Sequence, residues 1–224
     1  MSGEYIPPIL TVDSVIFQLI DNQLMVLVIK RSQDPFKGVW ALPGGYNANG
    51  ETTKEALSRI MKAKAGLVFN DLRLLEQLYT FDTVARDPRG HAVSVTYMGL
   101  GLDLIPKSSK TTQTPEFFPI NALPDLAYDH ADIIKYAHER LSSKITYTNA
   151  IFALLPEFFT LSQLQSAYES VFNRDLDKRN FRKKFLSLDL IKPTKQFAKE
   201  GAHRPAQLFK FNDQKLVSLS RSFD

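Results

Sequence analysis

The segment from Pro35 to Leu67 constrains the fold of this chain more than any other. Pro35, Pro43 and the glycines at 38, 44, 45 and 50 keep residues 35–50 out of regular structure. Proline removes a backbone donor, and glycine accepts turn conformations that other residues resist. Thr52 to Ala65 then carries helix-favouring residues, and Gly66 suits a helix stop. A long loop feeding a capped helix must be anchored, and the preceding residues supply the anchor. Ile9 to Ile20 alternates loosely and is rich in β-branched residues, Asp21-Asn22 is a turn signal, and Leu24 to Ile29 reads as a second strand.

The pattern continues with strands at Leu72 to Tyr79 and Ala92 to Leu102, separated by the polar turn Asp82 to His91. A loop at Lys107 to Thr114, a short strand at Glu116 to Ile120 and a helix at Ala131 to Leu141 follow. Strands and helices mixed in this way predict an α/β domain, a mixed sheet covered by helices. Composition then shifts near Ser142 to Thr146, which divides the chain into residues 1–143 and 144–224. Residues 147–190 read as helical with a break at Pro156, and residues 191–211 as two short strands around a polar loop.

Charge divides along the same line. Residues 1–140 hold 14 Lys and Arg against 16 Asp and Glu, whereas residues 141–224 hold 14 against 8. A short, strongly basic part suits a polyanionic partner. The absence of cysteine excludes disulfides and cysteine zinc sites. The N-terminus lacks the pattern of a secretory signal, and no apolar run approaches membrane-spanning length, so a cytoplasmic protein is expected, nucleoid-associated when bound to DNA.

Gly45 is followed after five residues by Glu51, after seven more by Arg59, and the pattern closes with Gly66-Leu67. With the approach Pro35-Phe36-Lys37-Gly38-Val39-Trp40-Ala41-Leu42-Pro43-Gly44-Gly45 and the later Tyr128-Asp129-His130, this resembles the Nudix box of ADP-ribose pyrophosphatase-type proteins over residues 8–141. The resemblance implies a Nudix-type α/β/α sandwich. It also implies three glutamates at positions that here hold Ile60, Ala63 and Lys64. Spacings of three and four place these on one helical face. In active relatives that face presents carboxylates to magnesium, a cation that prefers oxygen ligands. Isoleucine and alanine offer none, and lysine puts a charge where the cation belongs. No metal site and no catalysis are therefore expected, while Glu51 can pair with Arg59 to hold loop against helix. The competing reading is an active hydrolase that recruits Glu55 or Glu76 in place of the missing ligands.

Candidate effector-binding residues are Arg31, Trp40, Gly44, Gly45, Arg59, Phe81, Asp82, Arg86, Tyr128 and His130. Arg31, Arg86 and also Arg89 suit a diphosphate, because guanidinium matches phosphate geometry. Asp129 reads as a helix N-cap, and His130 as a hydrogen-bonding residue, since no second ligand stands at metal spacing.

In the basic part, Leu161, Leu164, Tyr168 and Phe172 recur at helical steps, and a second helix runs from about Asp177 to Leu188. Phe181, Phe185 and Leu188 form its apolar face, and Arg179, Arg182 and Lys183 the opposite one. One face can pack while the other enters a major groove. Ile191 to Phe197 and Gln207 to Phe211 can pair as a wing carrying Lys195, Lys199, His203 and Arg204, and Lys178 and Asn180 complete the candidate DNA-binding set. The whole arrangement resembles the Nudix-related regulators of NAD metabolism, the NrtR family. The resemblance implies a repressor of NAD-metabolism genes whose Nudix domain binds ADP-ribose as effector and whose winged helix binds an operator. One winged helix reads only a short half-site, so a homodimer on palindromic duplex DNA is expected, with the Nudix sheet and the strand Ile9 to Ile20 as its contact surface.

Overall fold

The structure is a computed structural model that describes residues 5–108, 114–198 and 205–219. Strands β1 (Ile9–Ile20) and β2 (Gln23–Lys30) form the expected hairpin, with Leu19 opposite Leu24. Asp21 and Asn22 both take positive φ, as a two-residue turn matched to strand twist requires. Two short strands follow, β3 (Trp40–Ala41) and β4 (Gly44–Tyr46). Helix α1 (Thr53–Ala65) starts with a capping box in which the Thr52 hydroxyl accepts from Glu55 N–H and the Glu55 carboxylate accepts from Thr52 N–H. It stops at Gly66, which is left-handed.

Strands β5 (Leu72–Phe81), β6 (Ala92–Gly101) and β7 (Glu116–Pro119) complete a sheet with the order β3-β2-β1-β6-β5, to which β4 and β7 add. Only the β1–β6 pairing is parallel, so the sheet is mixed. Helix α2 (His130–Tyr147) covers the face opposite α1. Strand alternation sorts β1 between the two layers: Val12 and Ile16 pack with α1, while Val15 and Phe17 pack with α2. This is the α/β/α sandwich.

Two expectations need correction here. Helix α2 continues six residues past the Leu141 end expected for it, so the division placed at 143/144 lies within this helix. The reason is burial: Leu141, Lys144 and Ile145 are all buried and belong to the seam with the second part. Strand β1 is not a free dimer surface either, because it lies between β2 and β6 in the middle of the sheet. Among the described residues, β5 is the long strand at an edge.

After a 3-10 turn at Ala150–Leu154 come α3 (Leu161–Phe172), α4 (Lys178–Ser187) and the antiparallel pair β8 (Ile191–Ala198) and β9 (Ala206–Phe211). This is a helix-turn-helix followed by a wing. Tyr168 of α3 packs edge-on against Phe181 and Phe185 of α4. The core is continuous across both parts: residues of β1, α2, α3 and α4 share one buried cluster. Polar ties reinforce the seam. His138 Nε2 and Ser142 Oγ both meet the Val171 carbonyl, at 2.6 and 3.1 Å, and Lys144 pairs with Glu76 at 2.8 Å. No helix among the described residues is long and apolar enough to cross a membrane.

Candidate functional site

A cavity of about 510 Å³ opens between α1, the ends of β1, β2 and β4, the β5–β6 loop and the start of α2. Five cationic side chains line it (Arg31, Arg59, Lys64, Arg86 and Arg89), against three carboxylates (Asp13, Asp34 and Asp87). Of the expected effector residues, Arg31, Gly44, Gly45, Arg59, Arg86, Tyr128 and His130 line this cavity. Trp40, Phe81 and Asp82 do not. Trp40 packs edge-on against Phe118 at 4.9 Å, and Phe81 packs with Tyr79 and Tyr136, so both serve hydrophobic packing. Asp82 is an exposed residue just past β5.

Asp13 is the hub that sequence reading missed. It is 5% exposed and accepts a hydrogen bond from Ser94 Oγ. Arg86 lies at 3.7 Å and His130 Nε2 at 3.8 Å. A lone carboxylate inside the strand Leu10 to Phe17, which is otherwise uncharged and mostly apolar, was the available signal. The Asp129 carboxylate, read as a helix cap, makes no cap bond and instead receives Arg86 bidentately, at 2.8 Å for each oxygen. His130 Nδ1 accepts from Leu42 N–H at 2.9 Å, and burial pushes its pKa down, so the ring is neutral with its proton on Nε2.

At the mouth, Arg89 binds Asp87 bidentately through Nε and Nη2, donates from Nη1 to the Tyr46 hydroxyl and lies 5.2 Å over the Tyr46 ring. That pairing holds the Asp87 carboxyl below its ordinary range. Arg31 lies 4.9 Å over Tyr128, whose hydroxyl is buried without a hydrogen-bond partner and whose φ is +58°. Burial raises the Tyr128 pKa, so the phenol stays protonated. Arg59 pairs with Glu51 and donates to the Tyr46 carbonyl, which ties the glycine loop to α1 as expected.

The three positions where the Nudix pattern implies glutamate all reach the cavity. Ile60 is buried, Ala63 is exposed, and the Lys64 ammonium donates to the Gly44 carbonyl. Magnesium would need several oxygen donors here, and this face supplies none from its side chains. The residues present do not fit such an ion. Neither recruit proposed to replace the lost ligands lines the cavity: Glu55 is bound into the α1 cap, and Glu76 sits at the seam with Lys144.

The second site is the outer face of α4. Lys178, Arg179, Asn180 and Lys183 are exposed, as is Lys195 on β8. Arg182 differs: it is partly buried and donates to Ser162 Oγ at 3.2 Å, so it also ties α4 to α3. Lys199, His203 and Arg204 lie outside the described residues. Lys192 and Lys210, not expected from sequence, stand opposite each other on the paired wing strands.

These features define a Nudix domain joined to a winged helix-turn-helix. Residues 10–137 match the NUDIX domain model, and residues 151–211 match the NrtR DNA-binding winged helix domain model. The chain is 35% identical over 214 residues to the ADPR responsive transcriptional repressor NtrR of Acinetobacter baylyi, covering 93% of this chain and 84% of that one. It is 40% identical over 134 residues to the ADP-ribose pyrophosphatase of Methanocaldococcus jannaschii, covering 58% and 73% respectively. The crystal structure of Shewanella oneidensis NrtR with a 27mer DNA superposes with TM-score 0.79 at 30% identity, covering 96% of this chain and 99% of that one. The NUDIX domain of the same protein with ADP ribose superposes with TM-score 0.57 at 33% identity, over 61% of this chain and 90% of that one. The chain belongs to the NrtR family of Nudix-domain transcriptional repressors.

Proposed function

We propose that this chain represses NAD-metabolism genes by binding a palindromic operator as a cytoplasmic homodimer, and that ADP-ribose bound in the Nudix cavity changes operator affinity without being hydrolysed. The observation that carries the reading is the cavity face of α1. It keeps the Nudix frame, Glu51 paired with Arg59, but presents Ile60, Ala63 and Lys64 where metal-binding carboxylates would stand. The positive balance of the cavity suits a diphosphate, and the fused core gives ligand binding a physical route to α4. A ligand shifts such an equilibrium only through different affinity for two arrangements of the winged helices.

The similarity to the archaeal pyrophosphatase favours the alternative of an ADP-ribose hydrolase with a basic accessory domain. One experiment separates the two. ADP-ribose is incubated with the protein and magnesium, and recovered ligand is quantified beside an operator gel shift. Intact ligand with altered operator binding supports the proposal. Turnover at roughly 1 per second or more, the range of ordinary enzymes, supports the alternative.

A further inference from the structure

Lys64 is hard to explain as packing. An ammonium partly withdrawn from water carries a desolvation cost that an apolar residue at this place on α1 would not. Yet Lys64 reaches into the cavity and donates to the carbonyl of Gly44. A backbone carbonyl is the kind of hard oxygen donor that divalent cations use, and here an ammonium takes it. The flanking positions Ile60 and Ala63 can neither neutralise the charge nor recruit a metal. Asp13 from β1, Arg31 just past β2, Arg59 on α1 and Arg89 in the β5–β6 loop line the same cavity and act electrostatically on Lys64. With Arg86 and Lys64 itself the cavity carries five cationic side chains against three carboxylates, Asp13, Asp34 and Asp87, a balance that attracts an anion.

We propose that the Lys64 ammonium is a built-in replacement for the divalent cation, holding the diphosphate of the effector so that binding requires no metal. This rests on the reading of ADP-ribose as the effector and adds the group that grips it. Burial, with the neighbouring arginines, lowers the Lys64 pKa, and Asp13 opposes that shift. An approaching diphosphate favours the charged form. Affinity therefore falls as rising pH removes the proton from the amine in the free protein. Tyr128, whose pKa burial raises, is common to the native chain and a Lys64 variant, so it drops out of the comparison.

The test is calorimetry of full-length protein with ADP-ribose, in buffer containing a chelator, from neutral to alkaline pH. The native chain binds despite the chelator, with an alkaline decline. Lys64→Gln binds about tenfold to a hundredfold more weakly at neutral pH, the loss expected for one hydrogen bond to a charged group, and its profile lacks the decline attributed to Lys64. Lys64→Arg, which keeps its charge at every accessible pH, retains most of the affinity and likewise lacks that decline. Equal affinity in Lys64→Gln, or parallel pH profiles, overturns the proposal while ADP-ribose binding itself stands. A native chain that binds only with added magnesium also overturns it. Failure of the native chain to bind ADP-ribose with or without magnesium refutes the effector reading, and the proposal with it.

Discussion

Removing Phe185 from the recognition helix tests how the DNA-reading surface is held. Phe185 is fully buried, stacks on Phe181 at 5.6 Å and meets Tyr168 edge-on at 5.6 Å. Truncating a buried phenylalanine to alanine costs about 3–5 kcal/mol. That range already includes the two lost aromatic pairs, each contributing about 0.5–1.5 kcal/mol, and its middle puts Phe185→Ala at about 4 kcal/mol. Helix α4 has ten residues, of which only Phe181 and Phe185 are buried. It is shorter than the roughly 12–15 residues an isolated helix needs, so it depends on these rings. The expected result is that α4 amides lose hydrogen-exchange protection, and operator affinity falls at least about tenfold, a change of only about 1.4 kcal/mol. Trp40, the only tryptophan and part of β3, reports the Nudix half independently by fluorescence. Leu186→Ala on the same helix, at a side chain 46% exposed, is the control and stays within about 0.5 kcal/mol. A Phe185→Ala cost below about 1 kcal/mol, with native operator binding, would refute this account of α4.

Three other substitutions probe separate claims. Gly44→Ala places a Cβ 1.6 Å from Asp13 Oδ1, whereas Gly45→Ala meets Ile60 at 3.5 Å and Lys64 Nζ at 3.9 Å, both ordinary contacts; calorimetry should find ADP-ribose binding lost in the first and kept in the second, and the reverse order contradicts the described cavity. His130 is buried neutral with its pKa lowered, so below the ordinary histidine value of about 6.5 the unfolded chain binds more protons and stability falls with pH. His130→Asn keeps an acceptor for Leu42 N–H and should flatten that acid decline; parallel stability profiles would remove His130 as its source. Arg179→Ala and Lys183→Ala should each weaken operator binding and, for each phosphate contact removed, reduce the log–log salt slope by about 0.9, while unchanged slopes would move the contact surface off α4.

What was legible in the sequence was local. The Gly66 stop of α1, the Asp21-Asn22 turn and the Phe181/Phe185 face follow from neighbours a few residues apart. What was not legible depends on distant residues. Asp129 suggested a cap because of its position before a helix, but Arg86, forty-three residues earlier in the chain, takes its carboxylate. Trp40 lies beside the glycine loop in sequence, yet Phe118 of the β7 strand draws it away from the cavity. The α2 terminus misled for the same reason. Ser142 to Thr146 looks like a composition break, but the α3 and β5 contacts of Ser142 and Lys144 keep the chain helical through it. The cavity draws on β1, β2, β4, α1, a loop and α2, so its hub, Asp13, emerged only once the strands were paired.

The most direct test of the central claim measures operator affinity with and without ADP-ribose, in parallel in magnesium-containing and in chelating buffer, with the ligand recovered from both and analysed afterwards. The account predicts a change in operator affinity, an equal reciprocal change in ADP-ribose affinity when operator is present, and intact ADP-ribose at the end. Operator affinity indifferent to ADP-ribose, or ligand recovered as AMP and ribose phosphate, would contradict it.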